Sequence, residues 1–266
     1  MTDSVSQPND FLPVTKIPRS GLPEYALVCG DPRRAARIAK LFENSREIGS
    51  NREYVTYRGT WKGIDLTVSS HGVGGPGAIC MFEELVIAGA KTIIRVGTCG
   101  GTSPEIEDGD LIIATGGVRE DGVTDQLVPV AYPAFSTPEV VLALQQSAQS
   151  HGYPWHRGVI WTKALFFPGV LPTAFEAYVK AGVIAVEMEL TALLVMAGIR
   201  GIRAGGILVS DGNPTKSKDA EYNPHRSIVE EGVGKSIEVA LGAIEHLVEG
   251  AKTSPLNNTT RPFVFH

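Results

Sequence analysis

The sequence predicts an α/β fold, a single domain with a central mixed β-sheet flanked by helices. Two observations carry this. Short apolar runs alternate with longer stretches of helical period, the signature of strands interleaved with helices. No linker, repeat or low-complexity segment interrupts residues 24–250, so one body accounts for them. The size agrees. A chain of 266 residues and 28.4 kDa, 43% hydrophobic and 20% charged, can bury a core without covalent staples.

The elements follow in order. Residues 1–23 carry Pro8, Pro13, Pro18 and Pro23 among polar residues and read as an irregular N-terminal arm. Apolar runs at 25–29, 65–70, 92–96, 110–114, 158–162, 183–186 and 205–210 are the expected strands. Residues 54–61 read as a hairpin arm ahead of the second of these. Helical periodicity marks 32–42, 77–88, 138–150, 174–181, 189–197 and 227–249. Residues 251–266 read as a polar C-terminal tail.

Composition excludes several classes. With 24 basic against 29 acidic residues and a pI near 5.7, the chain lacks the basic footprint of a nucleic-acid binder. Cys29, Cys80 and Cys99 are odd in number and form no C-x-x-C pair, which argues against a disulfide scaffold or a structural zinc site. There is no metal-ligand cluster to suggest a metal cofactor. The start lacks a signal pattern, and no apolar run approaches the ~18 residues needed to span a bilayer. The expectation is a soluble, cytoplasmic protein.

In open α/β sheets ligands gather beyond the carboxyl ends of strands, and four strand ends stand out. After residues 25–29 comes Gly30-Asp31-Pro32-Arg33-Arg34. Asp31 suits a helix cap and Pro32 a first helical position, but two arginines in a first turn oppose the helix dipole. A bound anion resolves that conflict; solvated surface arginines are the competing reading. Arg95 lies inside an apolar strand and needs a carboxylate or an anionic ligand. The segment Gly97-Thr98-Cys99-Gly100-Gly101 after it reads as a small-residue loop against a ligand. Val186-Glu187-Met188-Glu189 offers two carboxylates for hydroxyl groups, or acids in a helix's first turn. Asp211, after the run 205–210, is a general acid–base candidate or a turn residue.

A fifth motif competes. His71-Gly72-Val73-Gly74-Gly75-Pro76-Gly77 contains G-x-G-x-x-G between a strand and a helix, a dinucleotide fingerprint on its face. It does not follow the first strand, Pro76 sits inside it, and Arg95 falls where a ribose-binding acid belongs. A nicotinamide enzyme is therefore disfavoured.

Together, Gly30-Asp31-Pro32, Asn51-Arg52-Glu53-Tyr54, Ser70-His71-Gly72-Val73-Gly74, the run 93–100, Val186-Glu187-Met188-Glu189 and Val209-Ser210-Asp211-Gly212 resemble the nucleoside phosphorylase family of hexameric purine nucleoside phosphorylases and uridine phosphorylases. The resemblance runs from about Tyr25 to Leu247. It implies a partly barrel-like sheet and phosphorolysis of an N-glycosidic bond, with no cofactor and inorganic phosphate as co-substrate. It assigns Gly30, Arg34, Arg95 and Thr98 to phosphate, and Arg52 to a neighbouring subunit's phosphate site. Met188 and Glu189 would hold the ribose hydroxyls. Phe166, Cys99, Gly100 and Val186 would line the base. Asp211 would be the general acid to the leaving purine, its pKa raised by burial. The partners implied are a nucleoside, phosphate and further copies of the chain. A dimer would be the catalytic unit, three dimers making a hexamer.

The base is read from departures. Where uridine-type members place a glutamine and an arginine for uracil, this chain has Val170 and Pro172; where they lack an acid, it has Asp211. Residues 205–214 and Pro224-His225 are most similar to protozoan purine nucleoside phosphorylases that prefer 6-oxopurines. A purine nucleoside is therefore the favoured substrate, with uridine or mixed specificity as the alternative. The family's N-terminal ribose-binding histidine has no counterpart before His71, the nearest position being Leu12, and a frequent acid is Ala164 here. These departures leave open a 5′-modified substrate and a non-catalytic nucleoside-binding protein. A hydrolytic nucleosidase is a further rival, disfavoured by the retained arginines. Arg226 is a candidate partner for the acid.

Overall fold

The computed structural model describes residues 10–216 and 223–253. Ten strands form one mixed sheet in the order β10-β6-β8-β9-β5-β1-β4-β3-β2, with β7 on β6. The strands are β1 (Tyr25–Cys29), β2 (Glu43–Asn51), β3 (Tyr54–Trp61), β4 (Ile64–Ser70), β5 (Thr92–Gly101), β6 (Leu111–Glu120), β7 (Ala134–Phe135), β8 (Trp155–Lys163), β9 (Ala185–Glu187) and β10 (Arg203–Gly212). The helices are α1 (Pro32–Ala39), α2 (Gly75–Ala88), α3 (Pro138–Ser150), α4 (Phe175–Lys180), α5 (Leu190–Arg200) and α6 (Ser227–Thr253), with a 3₁₀ turn at Thr124–Gln126.

The sheet closes on itself. β5 pairs with β10, β10 with β6, β6 with β8, β8 with β9, and β9 returns to β5. This five-strand ring is the expected barrel-like core. From β5 the sheet runs on through β1 and β4 in parallel, then antiparallel through β3 to β2. One apolar cluster lies under α2 and α5, around Phe82, Leu85, Leu190 and Leu193. A second joins Ile38, Leu144, Ile237 and Ile244 of α1, α3 and α6 to the other face. The sheet is thus covered on both faces, as parallel pairing requires.

Each predicted strand is present, and most are longer than their apolar centres. The main correction concerns 97–101, read as a loop. It is the second half of β5, paired to β10 on one side and β9 on the other. Its glycines serve close approach rather than a turn: a Cβ on Gly97 would sit 2.8 Å from the Arg95 guanidinium carbon. The polar edge strand β2 escapes a hydrophobic pattern, because an exposed edge is kept polar. The described part of the N-terminal arm is docked. Phe11 bridges Pro18, Leu12 and Ile17 are buried, and Glu84 of α2 accepts Val14 N–H at 2.9 Å and Thr15 N–H at 2.8 Å. The helix α6 runs on through Thr253, into the stretch read as tail; the first nine residues of the arm and the tail from 254 lie outside the described residues.

Candidate active site

A cavity of about 1120 Å³ opens where β1, β5, β8, β9 and β10 end or bend. Of the residues singled out from sequence, Gly30, Arg34, Arg95, Thr98, Cys99, Gly100, Phe166, Val186, Met188, Glu189 and Asp211 all line it. Arg52 does not. It sits exposed, with φ 54°, in the turn between β2 and β3, outside the residues that line the cavity.

The two arginines after β1 separate. Asp31 caps α1 through Arg33 N–H, and the exposed Arg33 side chain folds back onto the same carboxylate. Arg34 turns inward and donates to the Val96 carbonyl at 3.2 Å. Burial first, and the nearby Arg95 charge further, pull its pKa down, while Cys29 and Asp31 oppose them. A cation destabilised in this way gains from a bound anion.

Arg95 is 4% exposed and held from three directions. Its Nε donates to Glu187 Oε2 at 3.2 Å, its Nη2 to Glu189 Oε2 at 2.5 Å, and its Nη1 to His71 Nε2 at 3.1 Å. The His71 tautomer follows: Nδ1 faces the Gly72 carbonyl at 2.9 Å and donates to it, so Nε2 is free to accept. Burial, then Arg95, hold the His71 pKa well below its usual value. Burial opposes the Arg95 charge, but Glu189 and Glu187 outweigh it and its pKa is raised. Arg95 thus has the carboxylate partners its burial demands, and it also lines the cavity.

The two carboxylates divide the work. Glu187 accepts Thr162 Oγ1 at 2.5 Å and the N–H groups of Glu189 and Leu190 at 2.8 and 2.9 Å, so it caps α5 and fixes Arg95. Glu189 accepts Gly74 N–H at 2.6 Å through its other oxygen, Oε1. Each oxygen keeps lone pairs that can accept hydroxyl groups. Burial raises the Glu189 pKa, against the pull of Arg95. The glycine-rich 72–77 segment is thereby explained. With φ 93° at Gly74, it turns from β4 into α2 and aims an N–H at Glu189.

Asp211 owes its direction to a β-bulge. On β10, Ser210 pairs with Cys99 and Gly212 with Gly100, so Asp211 is the extra residue between consecutive partners. Bulges re-aim side chains in this way, and the buried Asp211 lines the cavity. Arg226 donates to the Asp211 carbonyl at 3.2 Å and to Asp108 at 2.5 Å, pinning the bulge. Cys99 is a buried thiol whose pKa is pushed well up, by burial first and the nearby Asp211 next.

The cavity wall at Phe166 is open. Phe166 is 48% exposed, edge-on to Phe167, on an exposed segment spanning 164–173. Val170 and Pro172 project into solvent on that segment and do not line the cavity. Leu12 is buried in the core, away from the lining. Sequence reasoning missed His71 as the third support of Arg95, and Lys163, which lines the cavity beside Phe166. A histidine closing an apolar strand was the available signal for the first. Among the described residues no group of three or more His, Cys, Asp or Glu is placed to hold a metal ion, and no helix is long and apolar enough to cross a membrane.

Residues 24–247 match the phosphorylase superfamily. The chain is 34% identical over 236 residues to the purine nucleoside phosphorylase of Plasmodium vivax, covering 88% of this chain and 96% of that one. It is 37% identical over 207 residues to the uridine phosphorylase of Treponema pallidum, covering 74% and 80%. The crystal structure of purine nucleoside phosphorylase from Toxoplasma gondii in complex with immucillin-H superposes with a TM-score of 0.87 at 31% identity, covering 92% of this chain and 99% of that one. The chain belongs to the phosphorylase superfamily and is an enzyme of its nucleoside phosphorylase family.

Proposed function

We propose that this protein is a purine nucleoside phosphorylase, with 6-oxopurine nucleosides as preferred substrates. The observation that carries the reading is Asp211, a buried acid turned by a bulge into the cavity that also holds Arg34, Arg95 and Glu189. Phosphate binds beside Arg34, Thr98 and the Gly30 backbone, with Arg95 behind it. Arg52 from a second copy completes that site, so a dimer is the catalytic unit, within a hexamer. Glu189 and Met188 hold the ribose. Phe166, Val186, Cys99 and Gly100 frame the base. No resident cofactor takes part.

In the reaction a phosphate oxygen bonds to the anomeric carbon as the carbon–nitrogen bond to the base breaks. The sugar passes through an oxocarbenium-like state, stabilised by the phosphate anion on one face. The electron pair of the broken bond moves onto the purine, and Asp211 delivers a proton to its imidazole nitrogen. Such general acid catalysis supplies about 10²–10⁴-fold. The similar identity to a uridine phosphorylase keeps uridine as the second reading. The test is product analysis with inosine. The reading expects hypoxanthine and ribose 1-phosphate, formed only with phosphate. Free ribose formed without phosphate would make the protein a nucleosidase instead.

A further inference from the structure

Among the described residues six basic side chains line the cavity, and the structure sorts them by what neutralises them. Arg33 pairs with Asp31, Arg95 with Glu187 and Glu189, Lys216 with Glu107, and Arg226 with Asp108. Two have no carboxylate within ion-pair distance among the described residues, Arg34 and Lys163. Arg34 stands on the phosphate side. Lys163 stands elsewhere, at the end of β8, one residue past the Thr162 that pairs with Glu187.

Lys163 is held in place without being neutralised. Its ammonium donates to the Phe166 carbonyl at 3.2 Å and lies 5.8 Å from the Trp161 ring centre and 5.9 Å from that of Phe166. Rings and one carbonyl orient a cation while leaving its charge available. An ammonium has three N–H donors and no acceptor, so two donors remain for a ligand. Phe166, Val186 and Met188, which also line the cavity, are apolar. Glu120, registered against Lys163 across the sheet, accepts instead from Trp161 Nε1 and the Tyr178 hydroxyl. Burial lowers the Lys163 pKa, as expected for a cation the protein does not compensate.

We infer that Lys163 reads the base, donating a hydrogen bond to a carbonyl oxygen on its edge and selecting oxo over amino substituents. A donor-only group facing an exocyclic amine meets another donor and leaves both unsatisfied, which is how a polar pocket discriminates strongly. The inference rests on the phosphorylase reading for the identity of the ligand, and adds to it the residue that sorts nucleosides.

The test compares three pairs that differ by one exocyclic group: inosine with adenosine, xanthosine with guanosine, and uridine with cytidine. Relative kcat/KM values are measured for the wild-type chain and for Lys163→Met, which keeps the stem and loses the charge. The wild type should favour the oxo member of at least one pair, and Lys163→Met should narrow that ratio by about 10- to 100-fold. Lys163→Gln, which retains an uncharged donor, should fall between the two. Ratios unchanged in all three pairs overturn the inference, including the case in which all rates fall together, because Lys163 would then act on the shared ribose. Calorimetric binding of the same nucleosides without phosphate makes the same comparison independently of turnover. An inactive wild type would thus defeat the phosphorylase reading while the binding ratios still judged Lys163.

Discussion

Arg95 donates to Glu189 at 2.5 Å, and the same Glu189 carboxylate accepts the Gly74 N–H at 2.6 Å. One residue thereby joins β5 to the glycine turn ahead of α2. Arg95 and Glu189 are mechanically one unit, with His71 and Glu187 as its outer supports.

Arg34 and Arg95 should respond differently to truncation. Among the described residues Arg34 pairs with no carboxylate and donates to a backbone carbonyl, so Arg34→Ala should leave stability near wild type and raise the phosphate KM by about 10- to 100-fold. Arg95→Ala strands two buried carboxylates and should also cost about 3–5 kcal/mol of stability. Phosphate-dependent kinetics and denaturant unfolding separate the two. An unchanged phosphate KM in Arg34→Ala would remove it from the anion site.

Asp211→Ala should lower purine nucleoside turnover by about 10²–10⁴-fold and affect uridine turnover less, since only the purine leaves with a proton on its imidazole ring. Equal losses on inosine and uridine would make Asp211 a structural residue of the bulge.

His71 should leave a signature in stability against pH. Its folded pKa lies below that of the unfolded chain, so below about 6.5 the unfolded state binds a proton the native state refuses. Its contribution is complete above that pH and is lost as pH falls, at roughly 1.4 kcal/mol per pH unit. His71→Gln should flatten the stability profile between pH 6.5 and 5. Parallel profiles for the two chains would contradict the neutral, donor–acceptor tautomer.

Glu189 should set an acid limb in nucleoside binding. Its ionised form accepts hydroxyl groups, and burial raises its pKa, so protonation begins at a higher pH than for an exposed glutamate. The nucleoside KM should therefore rise on the acid side, and Glu189→Gln should abolish that limb while weakening binding at neutral pH. A limb that persists in the variant belongs to another group.

What was legible in the sequence had local causes. The buried strands announce themselves as apolar runs, and Asp31-Pro32 marks the start of α1. Arg34, Arg95, Glu189 and Asp211 could be read because they sit at or near strand ends that the alternation reveals, whereas Phe166 came from the family resemblance alone. What escaped had nonlocal causes. β2 is a strand only because β3 pairs with it. The glycine-rich half of β5 is extended because neighbours on both sides hold it so. The bulge at Asp211 is a mismatch of register between two strands and appears in neither alone. Arg95 meets His71 across 24 residues and Gly74 meets Glu189 across 115, so no spacing rule links them.

On the proposed function, this cavity takes phosphate and a purine nucleoside together, with Asp211 protonating the leaving base. The most direct measurement is base release from inosine and uridine side by side, with and without phosphate, followed by chromatography. Hypoxanthine should be released, only with phosphate, well ahead of uracil. Preferential release of uracil would contradict it, and would place pyrimidine recognition on groups other than Asp211.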